Sequence, residues 1–346
     1  MQKSGSIKKR AILSVVITTV IVITLIALSR QRPVPYHANS GMIFGTIYNI
    51  SYQYDRDLKK EIEMELRRVD SSLSIFNKQS TISKINRNEQ TATDSMLADV
   101  ITLAEEISEQ TDGAFDITVA PLVNAWGFGF KGGMFPGKAE IDSIMSSVGY
   151  KRIRLEGNNL IKEKPDIMLD CGAIAKGYGT DVIANMLRRH GIKNFMVEIG
   201  GEIVTAGISE KRQPWRIGVI KPSDDSLSTN QEIQTVLNIT DKAMATSGNY
   251  RNYYYKDGKK YAHTINPHTG YPVEHSLLSA TVIADNCATA DAYATAFMVM
   301  GQEKAARLLE KHPELMAYLI YCDENGEYKI WHSPAMNGKL IEKENK

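Results

Sequence analysis

A chain of 346 residues, 43% hydrophobic and 23% charged, is long enough for one large or two modest domains around a substantial core. Its 41 Lys and Arg against 40 Asp and Glu leave a net charge of +1, which gives it no electrostatic footprint for nucleic acid. Three cysteines, Cys171, Cys287 and Cys322, do not make a disulfide framework.

The first thirty residues differ in kind from the rest. Lys3, Lys8, Lys9 and Arg10 precede an uncharged run from Ala11 to Leu28, rich in Ile, Val and Leu, which is closed by Arg30. The run exceeds the usual core of a signal peptide and sits at the lower end of a spanning helix, and no small-x-small cleavage site precedes Gln31. Residues 1–30 therefore read as an uncleaved anchor. The basic flank places that end in the cytoplasm and the body outside the inner membrane, on its periplasmic side. Pro33 and Pro35 mark residues 31–41 as a linker, residues 42–335 form the folded domain, and 336–346 read as a polar tail.

Within the domain, β-branched and aromatic residues from Met42 to Tyr54 predict a strand or hairpin turning at Gly45-Thr46. Helical spacing follows from Asp57 to Ser74 and from Ser95 to Gln110, the latter stopped by Gly113. Gly127 to Gly137 is a Gly- and Phe-rich loop. Ile167 to Leu169 predicts a strand leading into a helix from Ile174 to His190, closed by Gly191. Phe195 to Ile199 and Ile203 to Ala206 predict a hairpin around Gly200-Gly201. Trp215 to Ile220 is a strand, Pro222 to Asn230 a polar loop, and strands recur at Thr235 to Ile239, Tyr250 to Tyr255 and Lys260 to Ile265, the last two joined at Asp257-Gly258. A buried strand, Leu278 to Ala284, leads into a helix from Asn286. A helix at Glu303 to Lys311 and a hairpin of Ala317 to Tyr321 with Tyr328 to Trp331 close the domain. Recurrent hairpins make this an α+β fold with mixed or antiparallel sheets and packed helices, not a doubly wound parallel one.

Four stretches carry chemistry. On a helix, Asp291 and Thr295 share one face, so a carboxylate and a hydroxyl can converge on a hard cation such as Mg²⁺, which takes few protein carboxylates. The same stretch also reads as a helix start, capped by Asn286 or Thr289, with Asp291 complementing the dipole. Asp170 to Gly179 is a turn of small residues opening a helix, where an anion can sit, with Lys176 beside it; it lacks the P-loop spacing. Tyr261 to Pro272 displays His263 at a strand's end, where it can act as general base or simply bond to a turn. His263 and His268 find no third soft ligand for zinc. In Thr111 to Leu122, with Trp126-Gly127 beyond, aromatics beside a carboxylate can stack on a flat heterocycle or belong to the core.

Gly-Ala-Phe-Asp-Ile from Gly113, Asp-x-Gly-Ala-Ile-Ala-Lys-Gly from Asp170, Glu-Ile-Gly-Gly-Glu from Glu198, Ala-Thr-Ser-Gly-Asn-Tyr from Ala245, His-x-Ile-x-Pro-x-Thr-Gly from His263 and Ala-Asp-Ala-x-Ala-Thr from Ala290 occur in this order. Together they resemble the FAD:protein FMN transferases, the ApbE family, over about Met42 to Trp331. The resemblance implies Mg²⁺ held by Asp291, Thr295 and the Ala173 carbonyl, with Ala294 also at the metal. It implies FAD contacts at Asp170 and Lys176 on the diphosphate side, at Ala114, Phe115, Asp116 and Ile265 on the flavin or adenosine, and at the aromatic Phe76. It makes His263 the general base and Lys176 a stabiliser of the developing charge. Phe44 holds a further cofactor-contact position, one where relatives commonly carry Met before Gly-Thr, and the lipobox Cys of many relatives is missing. The implied activity is Mg²⁺-dependent transfer of FMN from FAD to a Thr or Ser hydroxyl of an acceptor, a subunit of a Na⁺-translocating quinone reductase or Rnf-type complex, with release of AMP. The alternatives are an FAD pyrophosphatase and a periplasmic FAD-binding protein without chemistry.

Overall fold

The computed structural model of the protein describes residues 13–24, 34–128, 135–222, 232–249, 253–256 and 259–341. Its strands are β1 (Tyr36–Ile43), β2 (Thr46–Gln53), β3 (Ile153–Glu156), β4 (Asn159–Lys162), β5 (Phe195–Ile199), β6 (Glu202–Ala206), β7 (Trp215–Ile220), β8 (Ile233–Ile239), β9 (Ala243–Gly248), β10 (Tyr253–Lys256), β11 (Lys259–Ala262), β12 (Leu277–Ala284), β13 (Met316–Cys322), β14 (Tyr328–His332) and β15 (Leu340–Ile341). Its body helices are α1 (Lys59–Leu73), α2 (Thr81–Asn86), α3 (Ser95–Gln110), α4 (Ala120–Ala125), α5 (Lys138–Met145), α6 (Ala175–Arg189), α7 (Cys287–Met300) and α8 (Gln302–Leu309).

Eight strands form one sheet in the order β1-β2-β5-β6-β9-β12-β13-β14, and every neighbouring pair is antiparallel. The α+β expectation holds. Against one face lie α1, α3, α6 and α7. Their apolar stripes, such as Ile62, Leu66, Val69 and Leu73 on α1, close over Val197, Ala280, Val282 and Ala284. The opposite face of the strands carries Ile203, Met244, Ile283 and Tyr318, which pack on a three-stranded sheet, β15-β8-β7, through Trp215, Ile217 and Leu237. Each fully buried Leu, Ile, Val or Phe contributes about 1.5–3 kcal/mol relative to exposure, so the sheet is clamped from both sides.

The most buried helix is α7. Eleven of its fourteen residues are buried, among them five alanines. Small side chains let it lie close to β9 and β12, and this is what sets Asp291 and Thr295 at a fixed height above the sheet.

Several expectations need correction. The stretch read as linker already pairs: β1 begins at Tyr36, six residues before Met42, and meets β2 around Phe44-Gly45. It is an edge strand with polar positions, so alternation did not reveal it. Residues 167–169 belong to no strand; Asn86 holds Leu169 instead, through both its N–H and its carbonyl. β9, a central strand, was not predicted, because Ala-Met-Ala-Thr-Ser-Gly lacks the β-branched alternation of a strand. The tail from 336 is part of the fold: Met336 is fully buried and β15 pairs with β8. Residues 342–346, the Asp257-Gly258 turn, most of the Pro222 to Asn230 loop and residues 129–134 of the Gly127 to Gly137 loop lie outside the described residues. Of the expected anchor, residues 13–24 are helical and exposed. Among the described residues no helix is long and apolar enough to cross a membrane; the flanks of the run lie outside them.

Candidate active site

The site is built where α6 and α7 touch. A Cβ on Gly177 would lie 2.4 Å from the Cys287 carbonyl oxygen and 2.8 Å from Asp291 Cβ, so only glycine permits this contact. Asp181, one turn further along α6, accepts hydrogen bonds from the N–H groups of Cys287 and Ala288, each at 2.8 Å. With Asn286 accepting from Thr289 N–H at 2.8 Å, the start of α7 is capped by other groups. Of the two caps the sequence offered, Asn286 is the one present. Asp291 Oδ2 accepts from Gly177 N–H at 3.0 Å and lies 3.8 Å from Lys176 Nζ.

Lys176 Nζ donates to Glu202 Oε1 at 3.0 Å, which places one ammonium between two carboxylates that are 2–3% exposed. Burial alone would pull the Lys176 ammonium down, but Asp291 and Glu202 outweigh it and hold it well above the usual lysine range. Burial pushes the Asp291 carboxyl up, with Lys176 and the Gly177 N–H restoring part of the loss. Burial likewise raises the Glu202 carboxyl, to about 8, against the pull of Lys176; with two buried carboxyls to one ammonium, a bound cation would favour ionisation of both. One helical turn along α7, Thr295 Oγ1 lies 3.2 Å from Ser247 Oγ of β9.

The other stretches gather around this crossing by main-chain ties. Asp170 N–H donates to the Ile117 carbonyl at 2.7 Å, so the turn before α6 abuts the Gly113 to Ile117 segment. Burial raises the Asp170 carboxyl, whose Oδ1 accepts from Gly172 N–H. Asp116 is engaged on both oxygens, Oδ1 by Thr118 and Oδ2 by the Tyr150 N–H at 2.8 Å. Ala114 and Phe115 are 5% and 2% exposed. Their side chains are committed to the core, and this segment has mainly main-chain groups left for a ligand. Trp126 is likewise a core residue, its Nε1 donating to the Gly270 carbonyl at 2.8 Å. His268 packs against Gly113, which joins the His263 turn to the same rim.

His263 follows β11 directly, and its ring meets Phe128 edge-on with centroids 6.3 Å apart. Its neighbour Thr264 donates to Asn249 Oδ1 at 2.6 Å, so the histidine is tied to the end of β9, two residues from Ser247. Ile265 is buried and bridges Pro272. Phe76, 73% exposed, follows α1 and presents its ring to solvent. Phe44 adopts a left-handed φ of 52° and packs on Gly179 of α6, where a Cβ would lie 2.8 Å from its ring.

The sequence profile of the ApbE family matches residues 44–320. The chain belongs to the ApbE family. It is 36% identical over 305 residues to the FAD:protein FMN transferase of Vibrio cholerae, spanning 85% of this chain and 90% of that one. To the FAD:protein FMN transferase of Escherichia coli K12 it is 32% identical over 335 residues, covering 91% and 94% of the two chains. The solved flavin transferase ApbE from Vibrio cholerae superposes with a TM-score of 0.80, over 89% of this chain and all of that one. The apo flavinyl transferase ApbE of Pseudomonas stutzeri, 30% identical, gives 0.77 over 87% and 95% of the chains.

Within this ApbE chain the donor set near Asp291 fits a hard divalent cation. Among the described residues there is no group of three or more His, Cys, Asp or Glu that could hold a metal; one carboxylate with hydroxyl and carbonyl oxygens is what Mg²⁺ accepts. The Gly177 N–H and the Lys176 ammonium both face Asp291 Oδ2, which leaves the other oxygen as the natural donor to a cation. Thr295 sits on the same face, Ala294 beside it is fully buried, and Ala173 lies in the turn just before α6. Sequence reasoning gave no individual role to Gly177, Asp181, Ser247 or Glu202, although Gly177, Ser247 and Glu202 stand inside the quoted motifs.

Proposed function

We propose that this protein is an FAD:protein FMN transferase, moving FMN from FAD to a Thr or Ser hydroxyl of an acceptor protein with release of AMP. The observation that carries this reading is the approach of Lys176 to Asp291 at the α6–α7 crossing of an ApbE-family chain, with Thr295 one turn further along α7.

The reaction forms a bond from the acceptor oxygen to the FMN phosphorus and breaks the bond from that phosphorus to the AMP oxygen. His263 takes the hydroxyl proton, a step worth about 10²–10⁴-fold. Lys176 holds its charge against the diphosphate, and Asp170 lies at the same turn. Ala114, Phe115, Asp116 and Ile265 shape the rim on which the flavin or adenosine rests, with Phe76 and Phe44 as aromatic walls. Asp291, Thr295 and the Ala173 carbonyl would hold Mg²⁺, with Ala294 beside it. Bound there, Mg²⁺ supplies neutralisation of the charge that builds on the diphosphate oxygens.

The acceptor is a subunit of a Na⁺-translocating quinone reductase or Rnf-type redox complex. Residues 1–30 anchor the enzyme in the inner membrane and keep its catalytic domain on the periplasmic side, which confines enzyme and acceptor to one surface. The test is incubation of the purified chain with FAD, Mg²⁺ and such a subunit. A flavin-fluorescent protein band with stoichiometric AMP supports transfer. Free FMN with AMP means hydrolysis, and unchanged FAD means a binding protein; either result overturns the proposal.

A further inference from the structure

Glu202 opens β6, directly after a turn in which Gly200 and Gly201 take φ of 64° and 103°. All five residues of that strand are buried. Glu202 Oε1 accepts from Lys176 Nζ at 3.0 Å, whereas Oε2 is buried and receives no hydrogen bond from the described residues. An unsatisfied buried acceptor costs about 1–3 kcal/mol, more when charged. A buried ion pair is often replaced by apolar residues with no loss of stability. Stability therefore does not account for a glutamate here.

What a leucine or methionine could not do is direct Lys176. A lysine side chain has several rotatable bonds and is ordered only by what its ammonium meets. The second carboxylate within its reach is Asp291, whose Oδ2 lies 3.8 Å away against 3.0 Å for Glu202 Oε1. Without Glu202 the ammonium would close on Asp291 and compete for the carboxylate that the cation site requires.

We propose that Glu202 is a positioning residue: it holds the Lys176 ammonium off Asp291, leaving Asp291 to a cation and Lys176 to the phosphates of FAD. This rests on the placement of Lys176 against FAD under the proposed function. The two are separated by a double-mutant cycle on the full chain, with FAD binding read from flavin fluorescence in the presence of Mg²⁺ and melting temperature followed alongside. Lys176→Met and Glu202→Gln should each weaken FAD binding by about tenfold, the size of one charged hydrogen bond. The double variant should bind no more weakly than Lys176→Met alone, because Glu202 acts only through Lys176.

Undiminished FAD affinity in Glu202→Gln beside a weakened Lys176→Met overturns the inference alone. Losses that multiply in the double variant do the same, since Glu202 would then act independently. Undiminished affinity in Lys176→Met removes the Lys176 placement and the inference with it. Should Glu202→Gln fail to fold, Glu202→Asp keeps the charge on a shorter arm and carries the comparison; it should bind FAD more weakly than wild type, and equal affinity counts against the inference.

Discussion

Asp291 is held in a place that costs the fold something. Burial raises its carboxyl, and its compensation is one main-chain N–H and an ammonium at 3.8 Å. Asp291→Asn keeps the shape and an acceptor for Gly177 N–H but removes the charge that a cation needs. We expect FMN transfer to fall by about 10³-fold, the several kcal/mol of a metal's charge stabilisation at 1.36 kcal/mol per decade, with melting temperature retained. Full transfer activity in that variant would sink the metal assignment. His263 differs in that it sits half-buried at a strand end, near the rim and not in the ionic cluster. His263→Ala should slow transfer about 10²–10⁴-fold with FAD affinity unchanged. If the affinity drops instead, the histidine is a ligand contact. At this scale the sequence displayed the residue types but not their commitments. The expected stacking role of the Phe115 ring meets a side chain 2% exposed, and Asp116 spends both oxygens on Thr118 and Tyr150. Periodicity cannot tell an aromatic that faces a ligand from one that faces the core.

The α6–α7 pair shows what could be read at the scale of elements and what could not. Helical spacing predicted Ile174 to His190 and a helix from Asn286, and α6 and α7 agree within a residue or so. That they cross at Gly177 is a property of two segments more than a hundred residues apart, and no local pattern contains it. The crossing is locked by Asp181, whose carboxyl caps α7. Burial raises it to about 6, against the Cys287 and Ala288 N–H bonds and Arg188, with Asp291 adding to the rise. The unfolded carboxyl titrates near 4. Between about pH 4 and pH 6 the folded state thus holds more protons than the unfolded one, so this group's contribution to stability falls as pH rises through that window and is constant above it. Asp181→Asn removes the titration. Thermal melts from pH 4 to pH 7 should show the stability gap between wild type and variant shifting in favour of the variant as pH rises to 6. Parallel curves would show that Asp181 titrates at its ordinary value in the fold.

For the whole molecule, the antiparallel sheet was legible because hairpins announce themselves: Gly200-Gly201 and Asn325-Gly326 each join the strands expected of them. The sheet's order was not, since β9 lies between β6 and β12 with a sequence too small and polar to read as a central strand. The body itself is closed at both ends. Gln53 and Tyr54 bond to the carbonyls of Val34 and Pro35, and β15 reaches Ile341, so residues 34–341 contain every core cluster. Among the described residues, 13–24 are helical and exposed throughout. Leu13, Ile17, Val20 and Ile21 are each more than half exposed on this helix, and the anchor proposed above would bury them in a bilayer. The consequence is separable by truncation. The full chain should sediment with membranes and resist release by high salt, whereas a chain beginning at Val34 should be released with its melting temperature unchanged. Both should transfer FMN equally to a soluble acceptor domain. Only the full chain should act efficiently on an acceptor embedded in the same vesicles, because confinement to one surface raises the effective concentration of the pair. Equal rates on the embedded acceptor, or a full chain found in the soluble fraction, would remove the anchor from the account and leave the catalytic reading untouched.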